Sequence, residues 1–187
     1  MRSHSVGYFS SYDRGLITLL EMWPDIRKAV PDATLSIAYG WQGFDEAHRS
    51  NPKQMKWKYD VIRLLYDLKP LGVSELGRLS HEDLAKLMKR TKVWAYPTTF
   101  NEINCMTALK AQAAGMIPVT THCYALKESV LIDEPEVTDI DVNSTAKTAF
   151  IERVIAALKS DIEPDPTPAL ERFNWDVIGK AWDNALR

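Results

Sequence analysis

Short apolar runs alternate with longer amphipathic stretches from one end of this chain to the other. The run Val6 to Phe9 predicts a first strand. After it, Leu16, Leu19, Leu20, Trp23 and Ile26 share one face of a helix that Pro24 is expected to kink. Ala33 to Gly40 predicts a second strand, ended by glycine. Over residues 53–69, Met55, Tyr59, Ile62, Leu65 and Leu68 recur at helical period among charges, which marks a surface helix. Val73 to Leu76 is a short third strand. Ser80, with Asp83 three residues on, resembles a capping box that opens a helix over 81–90. Lys92 to Thr98 predicts a fourth strand, and Glu102 to Gly115 a helix stopped by the glycine common at that place. Ile117 to Thr121 is the fifth strand. Residues 133–142 are expected to supply a sixth, edge strand, followed by a helix from Ser144 to Lys159. A stiff polar connector, EPDPTP over 163–168, leads to a terminal helix over 174–186.

Strand and helix in regular alternation predict an α/β fold. It is a Rossmann-like, doubly wound parallel sheet of about six strands with helices on both faces, formed as a single domain over residues 1–187. Ligands of such a sheet bind beyond the carboxyl ends of the strands, near the point where strand order reverses. The loops that follow the strands therefore hold the candidate chemistry: 10–14, 40–44, 77–80, 98–104 and 121–127.

Composition narrows the classes. The 187 residues are 45% hydrophobic and 26% charged with a net charge of −2, so the strong basic excess of a general nucleic-acid binder is missing. The two cysteines, Cys105 and Cys123, have neither metal-ligand spacing nor a disulfide framework, which suits a reducing cytoplasm. No apolar run approaches the ~20 residues that span a bilayer, and no signal-like apolar core follows Met1. A cytoplasmic chain with no transmembrane segment and no metal is the expectation.

Two loops stand out. Arg14 follows the first strand with Gly15 beside it, so a cation stands next to an unobstructed backbone. Thr98, Thr99 and Asn101 precede the helix expected to open at Glu102, whose first amides, over residues 103–106, point outward and suit an anion. The same residues also read as ordinary caps, with Glu102 favouring the helix dipole whatever binds. His81 and His122 read as surface histidines. No G-x-G-x-x-G and no P-loop occurs, so dinucleotide and ATPase chemistry gain nothing.

The blocks YFSSYDRGLITLLEMWPDIRKAVPDATLSIAYGW, ELGRLSHEDLAKLMKRTKVWAYPTTFNEINCMTALKAQAAGMIPVTT and YALKESV, in that order, resemble the C-terminal, donor-binding domain of GT-B glycosyltransferases of the retaining group 1, or family 4, type. The resemblance covers roughly residues 6–158 and is strongest from Tyr96 to Val119. It implies a site for a nucleoside-diphosphate sugar. Arg14, beside Gly15, resembles the basic residue on the donor diphosphate, a role a guanidinium suits by its bidentate geometry. Ser11 lies in the same loop, and Thr98 precedes the motif. Gly77, Arg78 and Leu79 resemble the loop that meets the nucleobase. Glu102 resembles the first glutamate of an E-x7-E motif, which holds hydroxyls of the donor sugar. Ile103, Asn104, Cys105 and Met106 fall where amides meet the diphosphate and sugar. Glu128 resembles a further family glutamate, with a structural or a binding role.

The chain departs from the family at two places. Lys110 stands where the second glutamate would accept from the ribose hydroxyls, and a lysine has no acceptor. Eight residues of helix would put it ~12 Å below Glu102. Ser10 or Ser11 replaces a basic residue at the exit of the first strand, with Lys127 the candidate substitute. The resemblance implies transfer of a hexose to an unknown acceptor with retention, with the nucleotide sugar as substrate and no cofactor. It further implies that an N-terminal acceptor domain is missing and that this part alone binds nucleotide without transferring sugar. The alternative is a non-catalytic α/β binding or scaffolding module of the same fold.

Overall fold

The computed structural model describes residues 2–132 and 135–187. Its strands are β1 (Ser5–Tyr8), β2 (Thr34–Ile37), β3 (Val73–Glu75), β4 (Val93–Tyr96) and β5 (Ile117–Thr120). The helices are α1 (Leu16–Ala29), α2 (Gln42–His48), α3 (Pro52–Asp67), α4 (His81–Arg90), α5 (Met106–Ala113), α6 (Leu126–Ser129), α7 (Ser144–Lys159), α8 (Thr167–Arg172) and α9 (Trp175–Ala185). All pairings are parallel, and the strands lie in the order β3-β2-β1-β4-β5. Val6 pairs with Leu35 on one side and with Val93 on the other, so β1 is the centre of the sheet. From β1 the chain first builds outward through β2 and β3, then returns to lay β4 and β5 on the opposite side. The reversal falls between β1 and β4.

Every residue of β4 is buried, which requires cover on both faces of the sheet. α7 packs on β4 and β5 and against α1, which itself touches β4, while α5 lies along β5 and α8. The core is aromatic at its centre, with Tyr8, Tyr12, Trp23, Trp94 and Tyr96 all fully buried or nearly so. Lys92 is buried at the start of β4, where its ammonium donates to the carbonyls of Leu158, at 2.7 Å, and Ser160. It thereby satisfies the end of α7, whose last carbonyls have no partner inside the helix. Local chemistry sets several helix starts. Asn51 accepts from the amides of Lys53 and Gln54 ahead of Pro52, Asn143 caps α7 through Ala146, and Ser80 and Asp83 bond reciprocally at α4.

α1 runs through Pro24 to Ala29 as a single helix. Three expectations change. The described sheet has five strands, not about six: residues 135–142 run as bends and turns, and Asp133 and Glu134 lie outside the described residues. Residues 42–44, expected in a loop, belong to α2, a helix of seven residues too short to show a clear apolar period. α5 begins at Met106 rather than at Glu102, because Asn101 to Cys105 take non-helical backbone with Cys105 at the cap.

Candidate functional site

The loop from β1 to α1 is held by its own backbone and by the core. The Arg14 amide donates to the Ser11 carbonyl at 3.0 Å, and the Tyr8 hydroxyl donates to the same carbonyl at 2.8 Å. Gly15, at φ +102°, lets the loop lie against β4: a Cβ there would meet the Pro97 carbonyl oxygen at 2.2 Å. The unobstructed backbone at this glycine therefore serves contact with the chain itself.

Arg14 lies with its guanidinium 3.8 Å from the centre of the Phe100 ring and Nη1 3.3 Å from Glu102 Oε1. Glu102 is almost fully buried, at 7% exposure, although it carries a charge. Two donors explain why that position is tolerated: the Tyr96 hydroxyl, at 2.6 Å, and Arg14 share Oε1. Burial, then the bond to Glu102, pushes the Tyr96 phenol far above its ordinary range, so it stays a donor at any physiological pH. Partial burial opposes the charge of Arg14, but Glu102 facing it raises the guanidinium above its ordinary value.

Beyond Glu102 the chain turns outward. Ile103 is 91% exposed, and Asn104 and Met106 are exposed beside it. The amides of Ile103, Asn104, Cys105 and Met106 donate to no acceptor among the described residues, which leaves four unpaired N–H groups at the start of α5. Cys105 points inward, and burial pushes its thiol up to about 11, which removes it as a nucleophile. Thr98 is fully buried, its hydroxyl accepting from the Phe100 amide and its carbonyl from Thr121. It fixes the loop rather than lining a cavity.

Two clefts flank this helix mouth at the carboxyl ends of the strands. One, of about 310 Å³, is bounded by Phe9, Tyr39, Gln42, Arg78, Leu79 and Lys110. The other, of about 600 Å³, is bounded by Arg14, Gly15, Thr18, Thr99, Phe100 and Asp141. Thr107 donates to the Phe9 carbonyl at 3.3 Å and closes the gap between α5 and the end of β1. Arg14, Gly15, Thr98 and Glu102 thus come together, while Gly77, Arg78, Leu79 and Lys110 gather across the helix mouth. Gly77 has a φ of +67°; its amide donates to Glu75 Oε1 at 3.1 Å and its carbonyl accepts from Tyr39. Lys110 stands one turn into α5, ~6 Å along the axis from Met106, and the eight-residue helical rise expected from Glu102 does not apply, because the helix starts at Met106. Glu128 is exposed on α6, and Lys127 is paired with Glu136 at 2.7 Å. His81 is exposed and borders the smaller cleft, and His122 buries its Nδ1 with no partner among the described residues.

Tyr96 and Phe100 hold the two ends of the Arg14–Glu102 pair, and neither carries a local sequence signal: a tyrosine ending a strand and a phenylalanine in a loop are both unremarkable until the fold joins them. Among the described residues no group of three or more His, Cys, Asp or Glu side chains is placed to hold a metal ion. No described helix is long and apolar enough to cross a membrane.

A family profile described as Glycosyl transferases group 1 matches residues 3–160. Solved structures with the same fold include the pneumococcal O-GlcNAc transferase GtfA in complex with UDP and GlcNAc, at TM-score 0.71 and 14% identity over 98% of this chain and 35% of that one. HepE of Anabaena, solved with UDP-glucose, aligns at TM-score 0.61 and 20% identity over 98% of this chain and 48% of its own. Sucrose-phosphate synthase of Thermosynechococcus elongatus aligns at TM-score 0.66 and 18% identity over 97% and 45%. The chain therefore spans between a third and a half of the length of these proteins. No curated protein matches it.

Proposed function

The chain belongs to the group 1 glycosyl transferases, and from that premise we propose that it is the C-terminal, donor-binding half of a retaining enzyme. The enzyme would transfer a hexose from a nucleoside-diphosphate sugar to an acceptor held by another domain. The observation that carries this reading is the meeting of Arg14, Glu102 and the unpaired amides of residues 103–106 beside the strand-order reversal. A cation and four free N–H groups at a helix start form a natural diphosphate cradle.

In this assignment Arg14 and the α5 amides hold the diphosphate and stabilise the charge it gains as the anomeric bond breaks. The new bond to the acceptor oxygen forms on the same face of the sugar, and the acceptor's proton leaves with the diphosphate. Glu102, pinned by Tyr96, offers its second carboxylate oxygen to the sugar hydroxyls. Gly77, Arg78 and Leu79 border the nucleobase, and Lys110 reaches the ribose. Ser11, Gly15 and Thr98 shape the loops, and Cys105 and Met106 contribute backbone. The nucleotide sugar is the substrate, and no role is assigned to a cofactor.

A binding module without transfer is the second reading, favoured by one observation: Arg14 is already paired with Glu102 and so is not free for phosphate. Calorimetric titration with UDP, GDP, ADP and their sugars separates the two. The donor reading expects sugar nucleotides to bind more tightly than the bare diphosphates, with Glu102→Ala abolishing that preference. A preference unaffected by Glu102→Ala contradicts the assignment of Glu102.

A further inference from the structure

The smaller cleft has a lopsided charge. Arg78, His81 and Lys110 border it, together with the amide of Gln42, and no aspartate or glutamate does. Neither Arg78 nor Lys110 has a carboxylate within salt-bridge reach among the described residues, and the Arg78 guanidinium meets only the Gln42 Oε1, at 3.4 Å. The cleft on the Arg14 side, by contrast, carries Asp13, Glu21 and Asp141. Two uncompensated cations facing one small cavity lower the energy of an anion placed between them.

Position says where on a nucleotide that anion would sit. Lys110 stands about one helical turn, ~6 Å, from the first amides of α5. A 5′-diphosphate on those amides leaves its ribose beside Lys110 and its base toward Leu79 and Tyr39. Free ribose hydroxyls are best met by an acidic acceptor, whereas a basic residue in the same place accommodates a ribose phosphate, as dinucleotide-binding folds illustrate. Here every charged group bordering the cleft is basic.

Resting on the donor-site reading above, we propose that this cleft takes a nucleotide that carries a phosphate on the 2′ or 3′ position of its ribose in addition to its 5′-phosphates. Arg78 grips that phosphate through paired N–H groups, Lys110 adds a point charge, and His81 donates from the rim. Such a nucleotide is either the donor's own carrier or a ligand that competes with it, and both present the same chemistry to the protein.

Matched pairs test this by calorimetry on the 187-residue chain at one salt concentration. The pairs are GDP against guanosine 5′-diphosphate 3′-diphosphate, and AMP against adenosine 2′,5′- and 3′,5′-bisphosphate. The ribose phosphate is expected to tighten binding at least about tenfold, as charge-assisted bonds do. UDP should compete with the phosphorylated ligand. Lys110→Glu and Arg78→Gln, both at exposed positions, should each remove most of the gain. If UDP or GDP binds but the ribose phosphate adds nothing, this proposal is overturned and the donor site stands. A gain that survives both variants overturns it as well, since the phosphate then sits elsewhere. If neither member of any pair binds, the donor-site reading falls and this proposal with it.

Discussion

Gly15→Ala puts the architecture of the site under a defined load. Gly15 has a φ of +102°, and a Cβ there would lie 2.2 Å from the Pro97 carbonyl oxygen and 3.1 Å from the Thr98 Cα. The backbone conformation costs an L-residue about 1–2 kcal/mol. Relieving the overlap moves either the β4–α5 loop or the start of α1, at a further cost of about 1–3 kcal/mol for overpacking. The total, about 2–5 kcal/mol, corresponds in a domain of this size to a melting temperature lower by roughly 5–15 °C. Two other glycines serve as controls. Gly43 in α2 and Gly179 in α9 would present a Cβ to open space and have no positive φ. Alanine at either should hold or raise stability by about 0.5–1 kcal/mol, because glycine is the poorer helix former. The assay is thermal unfolding followed by circular dichroism. The same displacement carries Thr98 and the segment to Glu102 with it, so nucleotide affinity should fall in the folded fraction of Gly15→Ala but not in Gly179→Ala, which lies outside both clefts. A Gly15→Ala protein that melts within the spread of the two controls would refute the close approach of these loops.

Further outcomes follow from individual contacts. Glu102→Gln keeps an acceptor for Tyr96 but removes the charge facing Arg14; a partly exposed pair of this kind is worth about 0.5–1 kcal/mol, so UDP should bind roughly two- to fivefold more tightly, and calorimetry showing no change would mean that Arg14 does not meet the phosphates. Lys92→Met strips the end of α7 of its donor and should cost about 1–3 kcal/mol, read as a lower midpoint in urea with the slope unchanged. Burial raises the Cys105 thiol from 9.0 to about 11, so its contribution to stability is complete below pH 9 and disappears as pH climbs through 11. Iodoacetamide at pH 8 should therefore label Cys105 only after denaturation, and rapid labelling of the native protein would contradict its burial.

Much of the fold was legible because the strands of a parallel sheet are short apolar runs and its helices are amphipathic. β4 illustrates this: Val93 to Tyr96 is apolar at every position and proves buried at every position. The ends of elements were less legible. Nothing local distinguishes Glu102, a plausible first-turn residue, from the irregular backbone it occupies, since its place is set by Tyr96 and Arg14 from two other elements. α2 was hidden for a different reason. Trp41 packs edge to face against both Phe44 and Trp57, and Phe44 lies tilted against Trp57, so packing rather than periodicity holds that short helix. At the site, Arg14 and Glu102 could be named from order along the chain, but not their pairing, which depends on β1 and β4 being neighbours in the sheet. The separation of Lys110 from the helix mouth was likewise beyond the sequence, because it follows from where α5 begins.

The central claim is that Arg14 and the start of α5 form a diphosphate cradle, and the dissociation constant of UDP, GDP and ADP for the wild-type chain and for Arg14→Ala tests it most directly. Arg14 is partly exposed and stacks on the surface of Phe100, so its loss should leave the fold intact. The account predicts saturable binding of at least one diphosphate by the wild type, weakened about 10- to 100-fold in Arg14→Ala and reduced by added salt. A folded wild-type chain that binds none of the three at millimolar concentration, or an Arg14→Ala variant that binds as tightly as wild type, would contradict it.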